Sequence, residues 1–380
     1  MSGEGTAVVV EVAWVNGLAA IRSLGRKGLR VLAVDNRAFA LGLRSRYAEA
    51  RLAPDPLDDE SGFVAALRAI AEETDDVLPV FPTHDEHLNA IARHAGELGD
   101  RYRFPFPSWD VLEKIQSKRH QLETADSIGV PIPRTLYPQS AEEARTAGEE
   151  VGFPLIVKPS ANVGFRRSHR RQLFRCETPA ELDRAYELAA PHEPMVQELI
   201  PSGPEEMWTL GSYLDRDGQA LGLFSGHKLS QTRGYMGSAR AGEALWVDEV
   251  VEQGLALLRA LDFHGISQVE LMRDPRDGRY KLLEVNPRLW QWHSLAAACG
   301  VDLPWIAYRD LIGDPLPPAR MHGDGKRWAI TLMAGSGHAI ERPPYVDAVF
   351  ARDDPKPALV QLARHTLRGV RTMTGAGQRG

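Results

Sequence analysis

Glu270, Glu284 and Asn286 are the residues whose types and spacing point most directly to chemistry. They lie in Val269-Glu270-Leu271 and Leu283-Glu284-Val285-Asn286-Pro287-Arg288, apolar runs joined through Asp274-Pro275-Arg276-Asp277-Gly278. A hairpin turning at Gly278 brings the two runs side by side, and residues two apart on a strand face the same side. Two carboxylates and an amide then converge at the end of apolar strands. Such carboxylates repel and desolvate one another unless a cation lies between them, and hard oxygen donors suit magnesium, with manganese also accepted. The competing account is a solvated strand end at which Asn286-Pro287 starts a turn. Arg288, two residues past Asn286, faces the same side, and its fork suits a phosphoryl oxygen or a substrate carboxylate unless it pairs with an acidic neighbour.

Further candidates precede these along the chain. Lys158 ends the apolar run from Leu155, a costly place for an ammonium unless it meets anionic oxygens or snorkels to the surface. Lys118 lies among polar residues, where a solvated helix face competes with a functional role. Glu198, Leu199 and Ile200 leave a strand, where an ordinary strand end competes with an apolar wall whose main chain could hydrogen-bond a flat ring. Glu205 stands seven residues beyond Glu198, and Lys228 sits in Gly226-His227-Lys228-Leu229. The loop 160–171 carries Arg166, Arg167, His169, Arg170 and Arg171, either a lid for anionic groups or a solvated loop. His84-Asp85-Glu86-His87 reads as a strand-to-helix junction rather than a zinc cluster, with Asp85 as helix cap and His84 or Glu86 toward a cleft. Trp290, Gln291, Trp292 and His293 either line a pocket or fill the core.

The elements that must hold these residues follow from periodicity. Ala7 to Trp14 and Leu29 to Val34 read as strands flanking a helix, and Val77 to Phe81 follows the helical pattern of Phe63 to Ile70. That is an open parallel sheet. Asp35 at the end of the second strand suggests a dinucleotide fold, but the single Gly17 falls short of the glycine fingerprint. One helical pattern runs from Asp110 to Ile128. A small α+β module follows, with strands at Arg134 to Leu136, Leu155 to Lys158, Gln172 to Cys176 and Met195 to Glu198, and helices at Ser140 to Val151 and Pro179 to Ala190. Two long strands, Met207 to Leu214 and Gln219 to Lys228, turn at Asp217-Gly218, and a helix from Val247 to Leu261 precedes the hairpin that carries Glu270 and Glu284. The tail adds an apolar run at Trp328 to Met333, a basic helical pattern at Ala358 to Met373 and a glycine-rich end expected to be disordered.

Composition narrows the partners. With 380 residues, 43% hydrophobic and 25% charged, the chain can build two or three packed domains. A formal net charge of −6 offers no global basic field to nucleic acid. Cys176 and Cys299 are too few for a disulfide framework, which fits the cytoplasm, and no apolar stretch reaches the roughly 18 residues of a membrane span.

In order along the chain, Ser117-Lys118-Arg119 with Gly129-Val130-Pro131-Ile132-Pro133, then Phe153 to Pro159, then Gln197 to Gly203, then the fourteen-residue step from Glu270 to Glu284 with Asn286 beyond, form a pattern. It resembles the ATP-grasp superfamily, in particular its amino-acid-type, D-aspartate-ligase-like and carbamoyl-phosphate-synthase-like members, over about residues 105–312. The resemblance implies an α/β and α+β architecture: an N-terminal open parallel-sheet, Rossmann-like pre-ATP-grasp domain over 1–108, a lid module over 109–195, a metal-bearing module over 196–314 and an extension over 315–380. It also implies roles. Lys118 and Lys158 would reach ATP phosphates, Glu198, Leu199 and Ile200 the adenine, and Glu205 the ribose. Glu270, Glu284 and Asn286 would hold magnesium, with Arg288 and Lys228 as the catalytic cations. The activity implied is ADP-forming activation of a small carboxylate as an acyl phosphate for attack by an amine, with small-molecule substrates, no nucleic acid or membrane, and a homodimer left open. Bicarbonate activation and a nucleotide-binding module without catalysis are the alternatives. The loop 160–171 departs from the family's glycine-richer pattern.

Overall fold

The computed structural model describes residues 5–160, 172–232, 237–331 and 345–363. Buried β-branched runs form its first sheet. β1 (Thr6–Val10), β2 (Arg30–Asp35), β3 (Ala48–Leu52), β4 (Leu78–Pro82) and β5 (Tyr102–Arg103) pair in parallel in the order β3-β2-β1-β4-β5. β1 and β4 are buried along their whole length, as strands covered on both faces must be. The connections include α1 (Val15–Arg26), α2 (Glu60–Ala71), α3 (Asp85–Arg93) and α4 (Ala95–Leu98). β1 stops at Val10, short of the expected Trp14, because Glu11 adopts a left-handed φ of 62° and the next N–H, of Val12, turns to the Asp35 carboxylate at 2.8 Å. Asp35 also meets Arg37 at 3.0 Å, so its carboxylate is committed within its own domain.

The single helix expected over 110–128 is two: α5 (Trp109–Gln116) and α6 (Lys118–Ser127). Ser117 is extended, and its hydroxyl accepts the His120 N–H at 3.3 Å, so a serine in a continuous helical pattern acts as an N-cap. The break places Lys118 at the start of a new helix. The next module holds β6 (Thr135–Leu136), α7 (Ala141–Val151), β7 (Leu155–Pro159), β8 (Phe174–Cys176), α8 (Pro179–Ala189) and β9 (Pro194–Glu198). Its sheet runs β6-β9-β7-β8, and Leu155, Val157, Leu182 and Val196 share its own small core.

The third sheet contains β10 (Met207–Leu214), β11 (Ala220–Gln231), β12 (Ala239–Ala244), β13 (Gly265–Arg273), β14 (Tyr280–Asn286), β15 (Ala319–Arg320), β16 (Arg327–Ala329) and β17 (Tyr345–Asp347). Its order is β14-β13-β10-β11-β12-β16-β17, with β15 beside β11. α9 (Asp248–Ala260), α10 (His293–Ala298) and α11 (Leu303–Leu311) complete it. The C-terminal stretch is thus built into the body rather than appended. Its Asp354, fully buried, accepts from Arg22 of α1 at 2.9 Å, while the same guanidinium donates to the carbonyls of Val349 and Asp354 at 2.8 Å. Residues 356–363 begin the expected C-terminal helix, and its remainder lies outside the described residues. Trp290 and Trp292 are core residues: they pack with Phe224, and Trp290 lies against Gly211, where a Cβ would overlap its ring.

Candidate active site

Strand register assembles the site. Glu270 of β13 is directly opposite Glu284 of β14 on one side and Thr209 of β10 on the other, and Gln268 is opposite Asn286. The pairing of Glu270 with Glu284 depends on a bulge. Leu271 pairs with Leu282, whereas Glu270 pairs with Glu284, which leaves Leu283 as the extra residue on β14. An unbroken ladder would set Glu270 against Leu283, so the bulge re-aims a carboxylate onto the polar face.

Five side chains surround the two acids. Lys228 Nζ lies 3.2 Å from Glu270 Oε1, and Lys118 contacts Glu284 Oε2. Asn286 Nδ2 donates to Glu284 Oε1 at 3.3 Å and to Gln268 Oε1 at 3.4 Å. Gln268 Nε2 donates to Glu270 Oε1 at 3.3 Å and to Thr209 Oγ1 at 3.2 Å. Gln268 and Thr209 escaped the sequence reading, although Gln268 stands two residues before Glu270 and so shares its face. Lys158 comes from the end of β7. It is 2% exposed, and its Nζ has no hydrogen-bond partner among the described residues.

The electrostatics follow from burial and these neighbours. Burial pulls the Lys158 pKa down to about 7, Lys118 repels it further, and Glu284 opposes both. Burial also raises the Glu284 carboxyl, but the ammonium groups of Lys118 and Lys158 outweigh it and hold the group well below the usual carboxylate range. Glu270 moves the other way: burial and the charge of Glu284 raise it against the pull of Lys228. One acid is firmly ionised and the other is under strain to stay so.

The remaining candidates fall into place unevenly. Arg288 closes its fork on Asp85, with Nε to Oδ1 at 2.6 Å and Nη2 to Oδ2 at 3.2 Å, so the acid-pairing alternative is the arrangement present. Asp85 therefore does not cap α3. The N-cap residue is His84, which makes no side-chain cap, and its ring pairs with Glu86 instead. Arg288 also lies 3.5 Å from Asn286 Oδ1, which joins the start of α3 to the acids. Glu198 turns its carboxylate away to Arg276 at 2.6 Å, Lys281 at 3.0 Å and the Arg134 N–H at 3.0 Å. Leu199 is half-buried, and Ile200 forms an apolar cluster with Met207, Met272 and Leu283 beside the acids. Glu205 is exposed on a short turn whose carbonyl accepts from His227 Nδ1 at 2.9 Å. His293 is buried with Nε2 on the Asn16 carbonyl at 3.0 Å. The basic loop 161–171 lies outside the described residues.

Among the described residues no three His, Cys, Asp or Glu side chains converge as a metal cage. The donor set is two carboxylates and an amide, which suits a hard cation that keeps water and takes its other oxygens from a substrate. The orphaned Lys158 ammonium fits that substrate being an anion, so the residues present fit a magnesium-bound polyphosphate.

A parallel-sheet domain, a small antiparallel sheet carrying one lysine and a larger sheet carrying paired acids together have the ATP-grasp fold. The family model for the carbamoyl-phosphate synthase L chain, ATP binding domain, matches residues 245–318. D-aspartate ligase of Enterococcus faecium is 28% identical over 242 residues, covering 60% of this chain and 57% of that protein. The carbamoyl phosphate synthase large chain of Thermus thermophilus is 24% identical over 320 residues, covering 80% of this chain and 30% of that protein. Among solved structures, a biotin carboxylase–β,γ-ATP complex from Campylobacter jejuni superposes with a TM-score of 0.66 at 20% identity, covering 82% of this chain and 72% of that one. The L-amino acid ligase from Bacillus licheniformis gives 0.63 at 16% identity, covering 83% and 75%. The chain is similar in sequence to these ligases and shares the fold of the ATP-grasp structures. It spans a little over half of the D-aspartate ligase and under a third of the carbamoyl phosphate synthase chain. No helix among the described residues is long and apolar enough to cross a membrane.

Proposed function

We propose that this protein is an ADP-forming ligase that activates a small carboxylate, an amino acid or a related acid, as an acyl phosphate and transfers the acyl group to an amine. The observation that carries the reading is Lys158, a buried ammonium with no hydrogen-bond partner among the described residues, set beside two directly opposed carboxylates. An anion bearing a divalent cation answers both needs at once.

In this reading Lys158 and Lys118 hold the phosphates, Lys118 exchanging Glu284 for a phosphate oxygen. Glu270, Glu284 and Asn286 hold magnesium, which neutralises charge on the phosphates when bound. Adenine lies against the apolar cluster of Ile200, Met207, Met272 and Leu283, with the main chain of Glu198 to Ile200 at its edge and Glu205 at the ribose. The acid's carboxylate oxygen attacks the γ-phosphorus, ADP leaves, and the amine attacks the acyl carbon to release phosphate. Lys228 and Arg288 offset the charge that develops, and catalysis is chiefly positioning. We divide the modules near 108 and 198, because the second sheet runs to the end of β9 at Glu198, and the third module continues past 314 because its sheet takes in β15 to β17. The buried, unpaired Cys176 and Cys299 suit a reducing compartment such as the cytoplasm.

An assay of ADP release against pools of amino and hydroxy acids tests the reading. Release that depends on an acid and an amine supports it. Release with bicarbonate alone, or tight ATP binding without turnover, contradicts it.

A further inference from the structure

We infer that Gln121 is a positioning residue for the acid-bearing strand, the part that fixes where Glu284 and Asn286 aim. The inference rests on the reading of those two residues as metal ligands. β14 is the edge strand of its sheet, so outward-pointing backbone groups along it find no further strand. At Val285, between Glu284 and Asn286, that edge is buried, and an unmet N–H and C=O there would be costly. Gln121 meets both. Its Oε1 accepts the Val285 N–H at 2.7 Å, and its Nε2 donates to the Val285 carbonyl at 3.0 Å and to the Ile115 carbonyl at 2.6 Å. The amide is 3% exposed, and its oxygen and nitrogen are both engaged.

Two features make this anchor specific to the site. First, Val285 follows the Leu283 bulge by two residues, where a one-residue slip would turn Glu284 off the polar face. A side chain that reads both main-chain groups of one residue holds the strand against that slip. Second, Gln121 stands three residues after Lys118 on α6, so one helix face delivers an ammonium to the Glu284 side chain and an amide to the Val285 backbone. The Lys118 N–H in turn donates to the Ser160 carbonyl at 2.8 Å, two residues past Lys158. α6 therefore couples the lid lysine to the metal strand.

The test is Mn²⁺ binding to the full-length protein saturated with the non-hydrolysable ATP analogue AMP-PNP, followed by the EPR signal of free Mn²⁺. Metal-free ADP affinity and thermal unfolding are measured alongside for wild type, Gln121→Leu, Gln121→Glu and Glu284→Gln. We expect Glu284→Gln to remove Mn²⁺ binding and both Gln121 variants to weaken it by about tenfold or more. Metal-free ADP affinity should stay within about twofold, with cooperative unfolding retained. Should Gln121→Leu fail to fold, Gln121→Glu carries the test, since it keeps the acceptor for the Val285 N–H. Wild-type Mn²⁺ affinity in the Gln121 variants, with loss in Glu284→Gln, overturns the positioning role alone. Equal loss of Mn²⁺ and ADP binding also overturns it, as general damage. Wild-type Mn²⁺ affinity in Glu284→Gln overturns the metal site itself.

Discussion

Two clusters of acids and bases share β14 and are built in opposite ways. Around Lys281 the cluster is closed: Glu198 and Asp274 face Arg276 and Lys281, and contacts such as Arg276 to Glu198 at 2.6 Å and Lys281 to Asp274 at 2.7 Å leave every charge paired. Hydrogen bonds from Arg276 hold the Asp274 carboxyl well below the usual carboxylate range. Three residues further along, the cluster around Glu284 is open. Glu270 and Glu284 face Lys118, Lys158 and Lys228, and Lys158 has no hydrogen-bond partner among the described residues. The closed cluster has at least as many carboxylates as the open one, with Asp277 also 3.9 Å from Lys281, so acid density does not distinguish them. The surplus, desolvated cation does, because only an incoming anion can complete it.

The comparison can be broken by exchanging one acid in each cluster. Glu284→Gln should lower kcat by about a hundred- to a thousandfold, since in the proposed function it removes a charge that acts on the reacting phosphate. The matching change in the closed cluster, Asp274→Asn, should leave kcat within about twofold and instead cost about 1–3 kcal/mol in chemical denaturation. Loss of activity in Asp274→Asn with Glu284→Gln unaffected would reverse the assignment of the two clusters.

Lys158→Met sharpens it. Steady-state kinetics should show a KM for ATP raised by about tenfold or more, because a charge-assisted contact to phosphate is lost. Stability should respond with a defined sign. The folded-state pKa is about 7 against the ordinary lysine value of 10.5, so between these values the unfolded chain binds more protons than the folded one. Wild type therefore gains stability relative to Lys158→Met as pH rises from about 7 toward 10, and loses that gain as pH falls back to 7. Equal pH dependence in the two proteins would mean that Lys158 is not desolvated.

What the sequence revealed and what it hid have physical reasons. The Asp217-Gly218 turn and the Gly278 hairpin were legible because each glycine takes a positive φ, +75° and +74°, that few other residues tolerate. Helices α7 and α8 were legible from their Ser140 and Thr178 caps. The convergence of Glu270, Glu284 and Asn286 followed from turn position and two-residue parity, but the Leu283 bulge did not, since Leu282 and Leu283 are chemically alike and either could have paired. β12 escaped because Ala239-Arg240-Ala241-Gly242 has little strand preference of its own and is held by β11. Arg288 and Asp85 lie 203 residues apart, so their union across two sheets leaves no local trace. Gln121 looked like any polar residue on a helix, and only the buried edge of β14 gives its amide a task.

The most direct measurement is a crystal structure with Mn²⁺ and a non-hydrolysable ATP analogue, read by the anomalous signal of manganese. The account predicts a single strong peak bounded by oxygens of Glu270, Glu284 and Asn286, with Lys158 Nζ on a phosphate oxygen and Lys118 released from Glu284. A manganese peak elsewhere, with Lys158 still unpartnered beside a bound nucleotide, would contradict it.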